Sequence, residues 1–209
     1  IQLSGATTQN PFGTIIQSGF AGLPPGTYVG GYIPTGTNPS ATETFRLPAG
    51  TVFPTGAFTQ TTAGATGSAG NLSLETGRLI IQDGATLATT TFGQNSNAGS
   101  ISIRASEAVS LTNGSILSGV AGGAIGNSGG ITITTPSLTI TNGNIQTQTL
   151  GQGRAGDVQI TAPNQVNLSG SGSGVRSGSG GSNTLLGATG NSSGQGGTIR
   201  VTTGNLNIT

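Results

Sequence analysis

Apolar and polar positions alternate with a period of two in short bursts, and the bursts recur about every 29 residues. Leu72-Ser73-Leu74, Ile101-Ser102-Ile103 and Ile131-Thr132-Ile133 open three successive cycles. A second alternating pair follows in each: Leu79/Ile81, Val109/Leu111 and Leu138/Ile140. Each pair runs into a turn, Asp83-Gly84, Asn113-Gly114 or Asn142-Gly143, and a third segment keyed by Leu87, Ile116 or Ile145, spaced 29 and 29. Alternation sends every second side chain to the same side of a strand. Three such strands per repeat, with no helical period, predict an all-β fold: a parallel β-helix, or β-solenoid, of about 29 residues and three short strands per coil.

Stacking fixes which residues meet. Coils lie about 4.8 Å apart, so each residue sits over its equivalent one repeat away. Two inward columns are predicted, Leu72/Ile101/Ile131/Val158/Ile199 and Leu79/Val109/Leu138/Val166/Leu206. Asp83, Asn113 and Asn142 form a turn column, where Asn or Asp before Gly suits a positive φ. Their side chains are expected to bond the backbone of the next coil as a structural ladder. Glu75 and Arg104 occupy equivalent positions and are expected to form an inter-coil ion pair, with Arg78 and Glu107 as a second, diagonal one. Such a pair is worth roughly 0.2–1 kcal/mol.

The chain divides into three stretches of one solenoid. Residues 1–68 hold a partial coil, with Ile1-Gln2-Leu3 as a second strand and Val52–Thr61 as a third. Residues 69–154 are three regular coils, and 155–209 hold a further coil and a truncated one. Both termini fall in mid-coil, as expected of a segment of a longer protein. The partial coil is interrupted by residues 6–50, which carry six of the nine prolines, both tyrosines and three of the six phenylalanines. Proline cannot donate to a strand ladder, so this insertion is predicted to be a loop or small lobe off the shaft. Phe12, Phe20, Tyr28, Tyr32 and Phe45 are its candidate ligand contacts, and they serve equally as the lobe's own small core. The Gly/Ser-rich stretch 169–195, chiefly Ser171 to Ser182, is predicted to be a mobile loop.

Composition narrows the chemistry. Charged residues are 5% of the chain, net charge is +1, and there is neither Cys, His nor Lys. No electrostatic case exists for nucleic acid or an anionic membrane, and no apolar run approaches a membrane span. Without His or Cys the ordinary metal clusters and nucleophilic triads cannot be built, so no cofactor, metal or catalytic residue is expected. Five scattered acids, Glu43, Glu75, Asp83, Glu107 and Asp157, fit poorly with a polysaccharide-cleaving pair. Gly151-Gln152-Gly153-Arg154-Ala155-Gly156 spells a nucleotide-binding pattern but precedes a strand, and reads as a turn. Thr89-Thr90-Thr91 and Thr147-Gln148-Thr149 suggest an ice-binding array that Ser118-Gly119-Val120 interrupts.

The Ala-Gly-Asn-Leu opening at 69–72, the segments Glu75–Ala85 and Thr91–Gln94, and Arg104–Val109 resemble the large cyanobacterial exoproteins of the filamentous haemagglutinin-like class. The resemblance covers 66–209 well, 1–5 and 52–65 moderately, and 6–50 not at all. It implies a right-handed parallel β-helix exported by two-partner secretion and displayed at the cell surface as a fibre, adhesin or surface layer. The expected role is a shaft segment of an extracellular fibrous protein, structural and adhesive, with glycans or cell-surface proteins as partners and self-association along or beside the shaft. The alternatives are a purely structural filament or surface-layer component and, more remotely, a polysaccharide-active enzyme.

Overall fold

The structure, a computed structural model, describes residues 1–4, 15–18, 33–34, 45–46, 56–62, 64–65, 67–180 and 193–209. Its parallel strands stack as a β-solenoid of about four turns, about 29 residues apart, with no helix among the described residues. Three strand faces wind around one lumen. Ile101–Thr112 runs unbroken across the first two faces, pairing with Ile131–Thr134 at its start and Ser137–Thr141 at its end. Leu72–Gln82 is likewise continuous. The next two coils split at this corner, where Pro136, and Pro163 one coil on, lack the amide N–H a ladder needs. The backbone still closes there, with Asn164 N donating to Pro136 O at 3.0 Å.

The third face is a separate sheet of Gly56–Thr61, Thr86–Thr91, Ser115–Val120, Asn144–Thr149 and Gly174–Ser179, in that order. Its last member corrects the sequence reading. Gly174–Ser179 pairs residue for residue with Asn144–Thr149 and is the third strand of its coil, not a mobile loop. Only Val175 packs against the main core from it, so its Gly/Ser texture hid the strand. Four residues of the insertion also depart from expectation. Ile15–Ser18, within 6–50, adds a parallel strand to the outer edge of Gly56–Thr61 rather than standing off the shaft. An unpaired strand edge offers a full row of donors and acceptors to such a segment.

The predicted aliphatic columns form in register. Leu72 lies on Ile101, Ile131, Val158 and Ile199, and Leu79 on Val109, Leu138, Val166 and Leu206. A third column, Ala57/Leu87/Ile116/Ile145/Val175, completes the lumen. Ile103, Ile133, Leu111 and Ile140 are fully buried between them.

The lumen also holds polar columns. Gly70, Gly99, Gly129, Gly156 and Gly197 stack at the entrance of each coil. A Cβ at Gly129 would stand 2.2 Å from the Gly99 carbonyl oxygen, and one at Gly156 2.2 Å from that of Gly129. Backbone contact this close admits no side chain. Facing these glycines is a column of hydroxyls, Thr59/Thr89/Ser118/Thr147/Ser177. Thr89 and Ser118 both donate to Gly99 O, and Ser118 Oγ also accepts from Gly129 N at 2.8 Å. Thr147 and Ser177 donate to Gly156 O, and Ser177 Oγ accepts from Gly197 N at 2.8 Å. One hydroxyl thus satisfies the backbone of two coils. Ser118→Ala is expected to lose about 2 kcal/mol in denaturant unfolding, because it strips a buried N–H of its acceptor.

One inward hydroxyl has no such use. Thr149 Oγ1 is buried without a hydrogen-bond partner, in register with Val120. Thr149→Val removes that orphan at constant shape and is expected to raise stability by about 1 kcal/mol, read as an upward shift in denaturation midpoint.

Candidate functional site

The sequence-predicted site residues separate into three groups. Phe12, Phe20, Tyr28 and Tyr32 lie outside the described residues. Phe45 lies in the short strand Phe45–Arg46, whose backbone pairs antiparallel with Ile33–Pro34. Asp83, Asn113 and Asn142 do stack, with φ of 56°, 53° and 51°, and Gly170 continues the column at 87°. Their backbone N–H groups bond from coil to coil: Asp83 to Thr112 O, Asn113 to Thr141 O and Asn142 to Ser169 O.

The side-chain ladder expected at that turn is found elsewhere. No hydrogen bond of the Asn113 or Asn142 side chain joins successive coils among the described residues. The Asn142 amide instead lies against Gly170, its Oδ1 2.1 Å from where a Cβ would project. The rungs occur at the coil entrance. Asn97 N donates to Ser68 Oγ (3.3 Å), Asn127 N to Asn97 Oδ1 (2.8 Å) and Arg154 N to Asn127 Oδ1 (2.9 Å). The signal was present as a residue two before each anchor glycine, in Asn97-Ala98-Gly99 and Asn127-Ser128-Gly129.

Glu75 and Arg104 lie opposite each other in register, but the ion pair among the described residues is Arg78–Glu107, at 3.3 Å. Register shifts between Thr76 and Arg78, and the bare Gly77 leaves room for the Glu107 carboxylate, whose Oε1 lies 3.2 Å from its missing Cβ. Glu75 and Arg104, both exposed, remain solvated. Arg78 and Glu107 are each 61% exposed, so Arg78→Gln is expected to change thermal stability by less than about 1 kcal/mol, and less still in high salt.

The threonines of the third face point into the solenoid or under cover. Thr89, Thr91, Thr147 and Thr149 are buried on the lumen side, and Thr90 is buried too. On the sheet's other side Phe58, Ala88, Leu117 and Leu150 form a second buried cluster. This face offers no exposed threonine array to ice.

What remains open is the third corner, where the chain passes from the third face back to the first. Parallel bridges Gln94–Ile125 and Ile125–Gln152 hold it in register. It carries a shallow, open depression of about 470 Å³, lined by Asn95, Asn97, Asn127 and Gln152 together with Ile125, Gly126 and Gly153. Asn95 adopts a positive φ of 56°. Asn97 Oδ1 is occupied twice, by Asn127 N and by Asn127 Nδ2 at 3.3 Å, and Asn127 Oδ1 by Arg154 N.

No protein family, curated protein or solved structure matches this chain. Function is therefore argued from geometry.

Three of the five carboxylates are engaged in local structure. Asp157 Oδ1 accepts from Thr198 N at 2.7 Å, Asp83 Oδ2 from Gln82 Nε2 at 3.0 Å, and Glu107 pairs with Arg78. Glu43 lies outside the described residues. No group of three or more His, Cys, Asp or Glu that could hold a metal occurs among the described residues. Nor is any helix there long and apolar enough to cross a membrane.

Proposed function

We propose that this chain is a shaft segment of an extracellular fibrous surface protein, with a structural and an adhesive role. The observation that supports it is the unbroken stacking of glycine, hydroxyl and aliphatic columns from coil to coil. A quasi-one-dimensional stack with identical rungs is a rod. It holds whatever it carries at fixed height, and each coil is stabilised by its neighbours alone.

The repeat segments at 69–85, 91–94 and 104–109 support placing the chain in the filamentous haemagglutinin-like class, displayed outside the cell by two-partner secretion. The absence of cysteine suits a chain that crosses a membrane unfolded. A non-catalytic role is supported by Asp157, Asp83 and Glu107 being committed to backbone, amide and guanidinium partners. The adhesive part rests on the aromatic residues of 6–50.

The test is binding of the chain to whole cells and a glycan panel, with residues 6–50 intact or replaced by a short Gly-Ser linker. Binding lost on replacement is the expected result. Absence of binding by either form overturns the adhesive role and leaves a purely structural filament.

A further inference from the structure

From the third corner we infer a second contact site, on the shaft itself, that takes a neutral saccharide. This extends the adhesive reading and does not depend on residues 6–50. Three observations carry it.

The first is shape. The depression is concave and solvent-open, while the outward side of the third face is covered at Phe58, Ala88 and Leu117.

The second is preorganisation. The Asn97 and Asn127 side-chain oxygens are spent on the ladder, which fixes both amide planes, and the exposed Asn97 amide keeps its N–H donors outside that ladder. Asn95 and Gln152, exposed beside them, have side chains with no hydrogen bond among the described residues and supply both donors and acceptors. Donors already held in place lose little freedom when a ligand binds. Amides at successive rungs, about 4.8 Å apart, suit the hydroxyl and ring oxygens of a pyranose chain laid along the shaft.

The third is the balance of polar and apolar surface. Ile125, half-buried at the centre, offers an aliphatic patch to the C–H face of a sugar ring. No ionisable side chain lines the depression. Arg154, the next residue in the Asn127 column, is the nearest charge along it, and its backbone N–H is the part that joins the ladder. A site built from amides and one aliphatic side chain selects uncharged, hydroxyl-rich ligands over acidic ones.

The experiment is a titration of the full chain with neutral tetrasaccharides (cellotetraose and maltotetraose) and with an acidic one, tetragalacturonate, followed by the side-chain amide resonances of Asn and Gln. Shifts of Asn95, Asn97, Asn127 and Gln152 on adding a neutral sugar are expected, saturating at about 1 mM. The variant Asn95→Gly/Gln152→Ala leaves the ladder intact, and glycine adopts the positive φ freely. It is expected to weaken binding about tenfold, the loss of one to two hydrogen bonds, with unchanged melting temperature. Undiminished binding by the variant overturns the site. So does a response to tetragalacturonate alone, or none to any sugar. Because the readout is local to the corner, failure here leaves cell binding through residues 6–50 to stand or fall separately.

Discussion

Gly129→Ala is expected to cost about 3 kcal/mol, measured as a fall in the urea midpoint at unchanged slope. The added Cβ would lie 2.2 Å from Gly99 O, 2.4 Å from its carbonyl carbon and 2.6 Å from Ser100 N. Those are backbone atoms of the adjoining coil and cannot rotate away. Relief requires the two coils to separate, which stretches Ala98 N to Asn127 O and Ile101 N to Gly130 O, both 2.9 Å. It also pulls Gly129 N from Ser118 Oγ. Gly67→Ala is the matched control. Nothing lies within 4 Å of its added Cβ, so a change within about 0.5 kcal/mol is expected. Equal effects at the two positions would contradict the glycine column.

Ile133→Ala is the second large effect, about 3 kcal/mol and within the usual 2–5 for buried aliphatic truncation. Ile133 is fully buried between Ile103 and Ile160 in register, and a parallel stack held by the ladders above and below cannot collapse into the void. The loss should be local. In a solenoid, stability is the sum of coil and neighbour terms, so hydrogen-exchange protection should fall first at 101–104 and 158–161. Ile133→Val, which removes one methylene, is expected to cost about 1 kcal/mol. Uniform loss of protection along the whole chain would show that the coils do not act as neighbours.

The contrast between these residues explains what the sequence could disclose. Ile133 announces itself, because an aliphatic residue in alternation, repeated every coil, has only the lumen to face. Thr89, Ser118 and Thr147 do not. By type they are surface residues, and they are buried only because glycine carbonyls stand opposite them to accept their protons. That partnership spans the lumen and leaves no local pattern.

Gly174–Ser179 failed for a related reason. A strand at the edge of a stack is held by backbone pairing to Asn144–Thr149, and the ladder is indifferent to side chains. The turn column was legible in its φ, since Asn-Gly and Asp-Gly carry a conformational preference in their own sequence. Its side-chain partners were not, because they depend on where the next coil lies. The third corner was the least legible. It is made of Asn95, Asn97, Asn127 and Gln152 from three coils, and only the stacking offset brings them to one depression.

Everything above depends on the coils standing in register, and spin-label distances measure that directly. Ser73, Ser102, Thr132, Gln159 and Arg200 form one outward column, four rungs from end to end. The chain has no cysteine, so Ser73→Cys/Arg200→Cys can be labelled at those two positions alone. Stacking places them about 19 Å apart, four steps of about 4.8 Å, and a narrow distribution near that value is the predicted result. A broad distribution centred near about 60 Å, the end-to-end scale of an unfolded stretch of this length, would contradict the shaft.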